Sequence, residues 1–376
     1  MIKVPMYLHK LNLVNFKNYE QLDIEFSEKI NCFVGGNGAG KTNLLDAIYY
    51  LSLTKSYFNT IDTQNITNGQ DFFMIQGEYE RDGTKENIYC GVGKNRRKQF
   101  KRNNKEYQKF SLHIGLIPVV MISPADSSLI IEGSDDRRKF INGVISQYSI
   151  EYLDTMIRYN HALVQRNILL KDFARSGSFN PEYIEVWDTQ LVTAGEFIHK
   201  KRLEYAKKFQ PIFQSYYNII SESQEEVGLI YQSQLNDGDF RQLLEKSMDK
   251  DRILQYTTVG IHKDDLVMNM GPFPIKRNGS QGQQKTFLVA LKFAEFDFIR
   301  ELNGIAPVLL LDDLFDKFDS HRVRKIIGLV SEKHFGQIFI TDTNEDRADS
   351  ILKDISADHK VFEVDNGKIT GINGKN

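Results

Sequence analysis

Eight consecutive residues, Gly35-Gly36-Asn37-Gly38-Ala39-Gly40-Lys41-Thr42, constrain this chain more than any other stretch. They match a phosphate-binding loop and stand where such a loop must stand. The apolar run 30–34 before them reads as a strand, and the apolar periodicity over 44–53 after them reads as a helix. A strand that turns into a helix through glycines brings successive backbone N–H groups toward phosphate oxygens, and the helix N-terminus adds the positive end of its dipole. In that arrangement Lys41 reaches the terminal phosphates and the Thr42 hydroxyl is a ligand for Mg²⁺. The flanking strand and helix argue against an ordinary glycine-rich turn. Residues 35–42 are therefore expected to hold a nucleoside triphosphate.

With 376 residues the chain is longer than one typical core supports, so two lobes are expected. Its two cysteines, Cys32 and Cys90, form no CxxC pair, and no histidines cluster, which excludes a disulfide framework and offers no metal-site spacing. No signal-peptide order opens the sequence and no apolar run has the length of a membrane span, so a cytoplasmic protein without a membrane partner is expected. The net charge of −2 gives the whole molecule no attraction to a polyanion, and any DNA contact must come from a local patch. One candidate exists over residues 93–106. There Lys94, Arg96, Arg97, Lys98, Lys101, Arg102 and Lys105 occur without an intervening acid, and Asn103-Asn104 suits a hairpin turn. Phosphate contact and a solvated, lysine-protected strand edge explain that hairpin equally well. Arg137 and Arg138 are the fallback DNA surface.

Hydrophobic patterning divides the chain. Residues 8–26 read as two short strands about a turn at 15–19, and residues 72–110 are β-rich, with hairpin signals at Asp82-Gly83 and Asn103-Asn104. Residues 137–173 read as one helix. A second helix runs from about 182 to 221, with Trp187, Leu191, Ala194 and Ile198 on a buried face and Pro211 expected to kink it. From Gly279 the pattern predicts a helix over 283–302, a strand over 308–311, a helix over 321–333, a strand over 337–341 and a hairpin around Asp365-Asn366-Gly367. The expected fold class is α/β. An ATPase lobe is built from residues 1–122 plus 264–376, with a mainly helical second lobe, 123–263, inserted into it.

The run 308–311 ends in Asp312-Asp313. An apolar run suits a parallel strand buried on both faces, and ligands of open α/β sheets bind at the carboxyl ends of such strands. Asp312 is placed to hold Mg²⁺ and Asp313 to orient or polarise the attacking water. A helix cap is the alternative use of the same pair. One helix earlier stands Asn278-Gly279-Ser280-Gln281-Gly282-Gln283-Gln284-Lys285. By position and form this segment resembles the signature loop of ATP-binding-cassette ATPases, in which Ser280, Gln281, Gly282 and Gln283 would contact the nucleotide of another subunit. Thr341 and Thr343 stand where a γ-phosphate sensor could, and their hydroxyls could equally satisfy a strand end.

Together these motifs resemble those of the RecF family, whose head is related to SMC heads. The likeness covers nearly the whole chain: LVNFKNY at 13–19, the loop 35–42, SPAD at 123–126, Arg137-Arg138, the Trp187 helix, GIHKDDL at 260–266, SQGQQK at 280–285, LLLDD at 309–313 and residues 341–343. Ile261 replaces a usual proline. Phe315-Asp316-Lys317-Phe318-Asp319 replaces the commoner Ser-Glu-Leu-Asp form of a loop at the subunit interface, and residues 1–5 are an extension. The second acid, Asp313, is a glutamate in most cassette ATPases, and the shorter side chain accords with slow turnover. The resemblance implies an ABC-type, SMC-head-like ATPase with ATP and Mg²⁺ as cofactors. Lys41, Asp313 and Ser280 would be its catalytic residues, and Thr42 and Asp312 would hold the metal. It further implies that ATP drives a homodimer on double-stranded DNA and single/double-strand junctions, that hydrolysis releases it, and that RecO and RecR are partners in loading RecA at gaps. Arg96, Arg97, Lys98, Lys101 and Arg102 are the candidate DNA contacts. An SMC-like structural or defence ATPase head is the alternative, against which the missing long heptad insertion counts. A transporter's nucleotide-binding subunit is a further rival, disfavoured by the basic hairpin and the long span between loop and signature.

Overall fold

The computed structural model describes residues 6–81, 83–222, 225–314, 320–330, 335–344 and 358–375. Residues 1–5 and 315–319, both singled out in the sequence, lie outside the described residues. The chain divides into two compact units. One holds residues 1–126, 219–222 and 285–376, and the other holds 127–218 and 223–284.

The chain opens as the hairpin β1 (Tyr7–Phe16) and β2 (Tyr19–Glu25), followed by β3 (Ile30–Val34) and α1 (Lys41–Leu53). In β1, Leu8, Leu11, Leu13 and Phe16 are fully buried, with partly exposed residues between them on the other face. β4 (Phe72–Arg81), β5 (Thr84–Gly93), β6 (Gln99–Arg102) and β7 (Lys105–Glu106) extend this sheet in the order β2-β1-β4-β5-β6-β7. The β6–β7 turn uses Asn103 and Asn104 at φ 49° and 64°, as its dipeptide predicts.

β8 (Val119–Ile122) then joins a second sheet, and the chain leaves the first unit through α2 (Ser128–Ile131), α3 (Ser134–Ser146), α4 (Ile150–Ser176) and α5 (Pro181–Ser221). The single helix expected over 137–173 is two helices. Ser149 breaks it, accepting from the Tyr152 backbone N–H as the N-cap of α4. Leu191, Ala194 and Ile198 are buried as expected, while Trp187 is half-buried, and α5 continues through Pro211. The second unit also contains a sheet that the patterning missed, made of β9 (Val227–Gln232), β10 (Asp265–Met270) and β11 (Phe273–Pro274), with α6 (Phe240–Leu254) between β9 and β10. Gln210 and Gln214 of α5 occupy the outer edge of β9: their side chains bond the Val227 carbonyl and the Val227 and Leu229 N–H groups, as a further strand would.

The GIHKDDL segment is a lock in this unit. Arg202, fully buried, donates to the Ile261 carbonyl and to Asp264, and Arg138 donates to the Asp264 carbonyl. Arg137 pairs with Asp265 through two hydrogen bonds, 2.7 and 2.9 Å. Gly260, at φ 130°, passes so close to Tyr159 and Phe240 that a Cβ would lie within 2.5 and 2.8 Å of them. Because β10 pairs with β9 over its whole length, the segment from 264 to Gln284 stays with the second unit. The sequence division returned it to the ATPase lobe at 264.

After α7 (Ile275–Asn278), helix α8 (Gln281–Asn303) leads into β12 (Val308–Leu311), α9 (Ser320–Val330), β13 (Ile338–Asp342), and the hairpin β14 (His359–Asp365) with β15 (Lys368–Lys375). The sheet order is β15-β14-β3-β13-β12-β8, and the five strands from β14 to β8 run parallel. Every residue of β3, β8, β12 and β13 is buried, so β8 and β12 read as unbroken apolar runs, while β3 and β13 also bury the polar Asn31, Thr341 and Asp342. One buried amide ties the two sheets of the first unit together. Gln337 donates to the Leu8 and Ser27 carbonyls and accepts from the Leu8 N–H, where β1 shifts register.

Candidate nucleotide-binding site

The loop between β3 and α1 is held from two sides. Asn18, in the β1–β2 turn, donates to the Ala39 carbonyl and accepts from Asn43, while the Tyr19 hydroxyl donates to the Gly40 carbonyl. From the C-terminal hairpin, the Gly367 N–H donates to the same Ala39 carbonyl at 2.9 Å. Gly40, at φ 116°, is the N-cap of α1, and a Cβ there would stand 2.5 Å from Asn18 and 3.0 Å from the Tyr19 hydroxyl. At Gly35 a Cβ would meet the Val364 carbonyl oxygen at 2.2 Å. These two glycines are therefore demanded by close packing as well as by φ. Asn18, Tyr19 and Gly367 carried no assigned role in the sequence, although LVNFKNY and the Asn-Gly turn were both visible.

Lys41 is buried to its tip, where Nζ donates to the Gly35 and Gly36 carbonyls at 2.8 and 2.9 Å. Thr42 Oγ1 donates to Asp312 Oδ1 at 2.8 Å, joining the first turn of α1 to the end of β12. Thr341, at the end of β13, donates to the same oxygen at 2.9 Å and accepts from the Asp313 N–H at 2.8 Å. Burial pushes the Asp312 carboxyl above its ordinary pKa, and the hydrogen bonds from Thr42 and Thr341 oppose that shift. Asp313 sits in the left-handed region at φ 43°. The parallel order β3-β13-β12 places all these strand ends at one edge of the sheet, so the phosphate loop and both acids come together within the first unit.

The Thr42 hydroxyl and the Asp312 carboxylate are hard oxygen donors in mutual contact. Mg²⁺ is commonly held by one or two protein oxygens together with phosphate oxygens and water, and this pair fits that requirement.

Ser280, Gln281, Gly282 and Gln283 lie in the second unit at the start of α8. The Gln283 N–H donates to Ser280 Oγ, and the Ser280 N–H donates to Gln283 Oε1, a reciprocal capping box. Ser280 is exposed, and Gln283 also donates to Glu225.

The basic hairpin is not uniform. Lys98 Nζ meets the Thr54 carbonyl, lies 3.0 Å from Asp62 and sits over the Tyr50 ring. Arg102 forms two bonds with Glu86, and Lys101 lies over Tyr89. Arg96, Arg97 and Lys105 are exposed. Arg137 and Arg138, the fallback surface, are tied into the lock around Asp264 and Asp265.

A glycine-rich loop and an acidic strand end flanking a third strand in a parallel sheet are the layout of a P-loop ATPase of the ABC type with an SMC-like head. The comparisons agree. The model of the RecF/RecN/SMC N terminal domain matches residues 7–370. The chain is 53% identical over 367 residues to the DNA replication and repair protein RecF of Phocaeicola vulgatus, covering 97% of this chain and 98% of that one. It is 48% identical over 359 residues to the RecF of Flavobacterium johnsoniae, covering 96% of this chain and 100% of that one. Among solved structures, the recombination mediator protein RecF-ATP in the RecFOR pathway superposes with a TM-score of 0.88 at 28% identity, covering 100% of this chain and 99% of that chain. An Smc head domain from Pyrococcus furiosus, at 17% identity and a TM-score of 0.57 with 98% and 96% covered, shares the fold. The chain belongs to the RecF family.

Proposed function

We propose that this chain is a slow, DNA-dependent ATPase of recombinational repair and replication restart that binds ATP with Mg²⁺, dimerises on DNA in the ATP state and is released by hydrolysis. The observation that carries this reading is the 2.8 Å contact between Thr42 of the loop 35–42 and Asp312 at the end of β12, which brings together two residues far apart in the chain and supports a hydrolytic site there. Backbone N–H groups of residues 36–42 and the N-terminus of α1 bind the phosphates, and Lys41 exchanges its two carbonyl partners for phosphate oxygens. Thr42 and Asp312 would hold Mg²⁺, which when bound neutralises phosphate charge. Asp313 orients the attacking water and Ser280, exposed at the start of α8, contacts the nucleotide held by a second copy. Slow turnover suits the short Asp313 side chain.

By likeness to its relatives, the protein acts at single/double-strand junctions in the cytoplasm and assists RecA loading at gaps with RecR and RecO. The RecF match, far closer than that to SMC heads, favours this over a structural or defence head. Among the described residues no helix is long and apolar enough to cross a membrane.

Lys41→Ala is expected to abolish ATP binding, whereas Asp313→Asn keeps binding, accumulates the ATP-bound dimer on DNA and stalls hydrolysis. Isothermal titration, light scattering and phosphate release measure the three properties. Normal hydrolysis in both variants would sink the assignment.

A further inference from the structure

Thr341 lies at the carboxyl end of β13, the strand between those that carry the phosphate loop and the acid pair. Its hydroxyl makes two bonds in opposite senses. It donates to Asp312 Oδ1 at 2.9 Å and accepts from the Asp313 N–H at 2.8 Å. A hydroxyl has one proton to donate, and here that proton is committed to Asp312. Thr341 is fully buried, so bulk water does not compete for either bond.

The two bonds act on different elements of the site. Asp312 has two hydroxyl donors on one oxygen, Thr42 and Thr341, and Thr42 is itself a candidate cation ligand. Thr341 is the donor that the nucleotide does not otherwise need. Asp313 has φ 43°, a left-handed conformation that a residue with a Cβ seldom adopts and that persists where surrounding contacts hold it. The bond to Thr341 is one such contact, and the direction of the Asp313 side chain follows from that backbone.

We propose that Thr341 is a positioning residue for hydrolysis, which through one hydroxyl sets both the Asp312 carboxylate that would hold Mg²⁺ and the backbone that aims the Asp313 carboxylate. This rests on reading residues 35–42 and 312–313 as an ATPase site. A γ-phosphate sensor at this position would have to give up the Asp312 bond to donate to phosphate, and in the arrangement observed the hydroxyl serves the acids.

The test compares wild type with Thr341→Val, which keeps the shape and loses the hydroxyl, and with Thr341→Ser, which keeps the hydroxyl. A fluorescent ATP analogue is titrated in EDTA and across a Mg²⁺ series, and single-turnover hydrolysis is followed separately. In EDTA all three proteins should bind alike. The Val variant should need roughly 10-fold more Mg²⁺ to reach tight binding and should hydrolyse roughly 10- to 100-fold more slowly, as loss of bonds to a charged group and to a strained backbone implies. The Ser variant should restore both to within roughly threefold of wild type. A Val variant equal to wild type in Mg²⁺ dependence and rate overturns the proposal. So does a Ser variant as impaired as Val, since the lost methyl packing would then be the cause. A wild type that fails to bind the analogue at all overturns the ATPase reading beneath it.

Discussion

Lys98 carries the same charge as Arg96 and Arg97 and stands next to them, yet its surroundings give it a different part to play. Its ammonium is enclosed by a carboxylate, a carbonyl and a tyrosine ring, and releasing it to a DNA phosphate would leave Asp62 and Thr54 without that partner. Arg96 and Arg97 project into solvent. Substituting both arginines by glutamine is expected to weaken DNA binding across sequences and to shallow the slope of log affinity against log salt by about 2, because each phosphate contact releases nearly one counterion. Their melting temperature should not change. Lys98→Gln should instead lower stability by roughly 1–3 kcal/mol in urea and leave the salt slope alone. An unchanged slope in the double arginine variant would assign the hairpin to solvated edge protection. Residue type was plain in the sequence at all three positions, but pairing was not, because Asp62 and Thr54 lie on a segment that no local pattern links to the hairpin.

At the scale of the element, α8 shows one turn serving two purposes. Ser280 and Gln283 satisfy each other's backbone N–H groups, which starts the helix, and in the proposed dimer the exposed serine would also meet a phosphate. Ser280→Arg should block the ATP-induced dimer by bulk at a site shared between copies, and by losing the cap it should cost about 1 kcal/mol of stability. Ser280→Asp separates these effects, since aspartate caps a helix as well as serine does but repels phosphate. It is expected to melt like wild type and still fail to dimerise with ATP, while binding ATP as a monomer. Light scattering decides this, and an ATP-dependent dimer of both variants would count against the shared site. Elements were legible where periodicity was long or the strand fully buried, as in α5, α8, β3 and β12. They were misread where one polar residue decides, as at Ser149, and where short strands depend on pairing partners, as in β9 and β10.

At the scale of the whole molecule, two of the described histidines, the buried His113 and the half-buried His262, tie stability to pH. His113 lies between the Tyr107 hydroxyl and the Leu51 carbonyl, and His262 between the Tyr159 hydroxyl and the Thr257 carbonyl. A carbonyl only accepts, so each ring donates through Nε2, and in the neutral form Nδ1 accepts from the tyrosine hydroxyl. Burial pushes both pKa values down from 6.5 to about 4. Between those values the unfolded chain binds more protons than the folded one, so stability rises with pH. The histidine contribution is fully present above pH 6.5 and is lost as pH falls toward 4. For His113 the slope is at most about 1.4 kcal/mol per pH unit. Urea unfolding at pH 7 and pH 5 should show wild type losing on the order of 2 kcal/mol more than His113→Gln. An equal loss in both would show that His113 titrates normally in the fold.

By itself the sequence determined the chemistry that is written in neighbouring residues: the glycine turn from β3 into α1, Lys41 and Thr42 at its end, two acids closing an apolar strand, and a serine opening a helix. Those features depend on local backbone conformation and on what a phosphate needs, so they survive without any knowledge of the fold. Only the tertiary structure decided which oxygens share a site. Thr42 and Asp312 are separated by 270 positions and meet because β13 is inserted between β3 and β12. The same insertion brings Thr341 to both acids, and packing alone distinguishes the half-buried, paired Lys98 from its exposed neighbours. Burial and long-range pairing depend on which faces the sheets cover, and no run of adjacent residues contains that information.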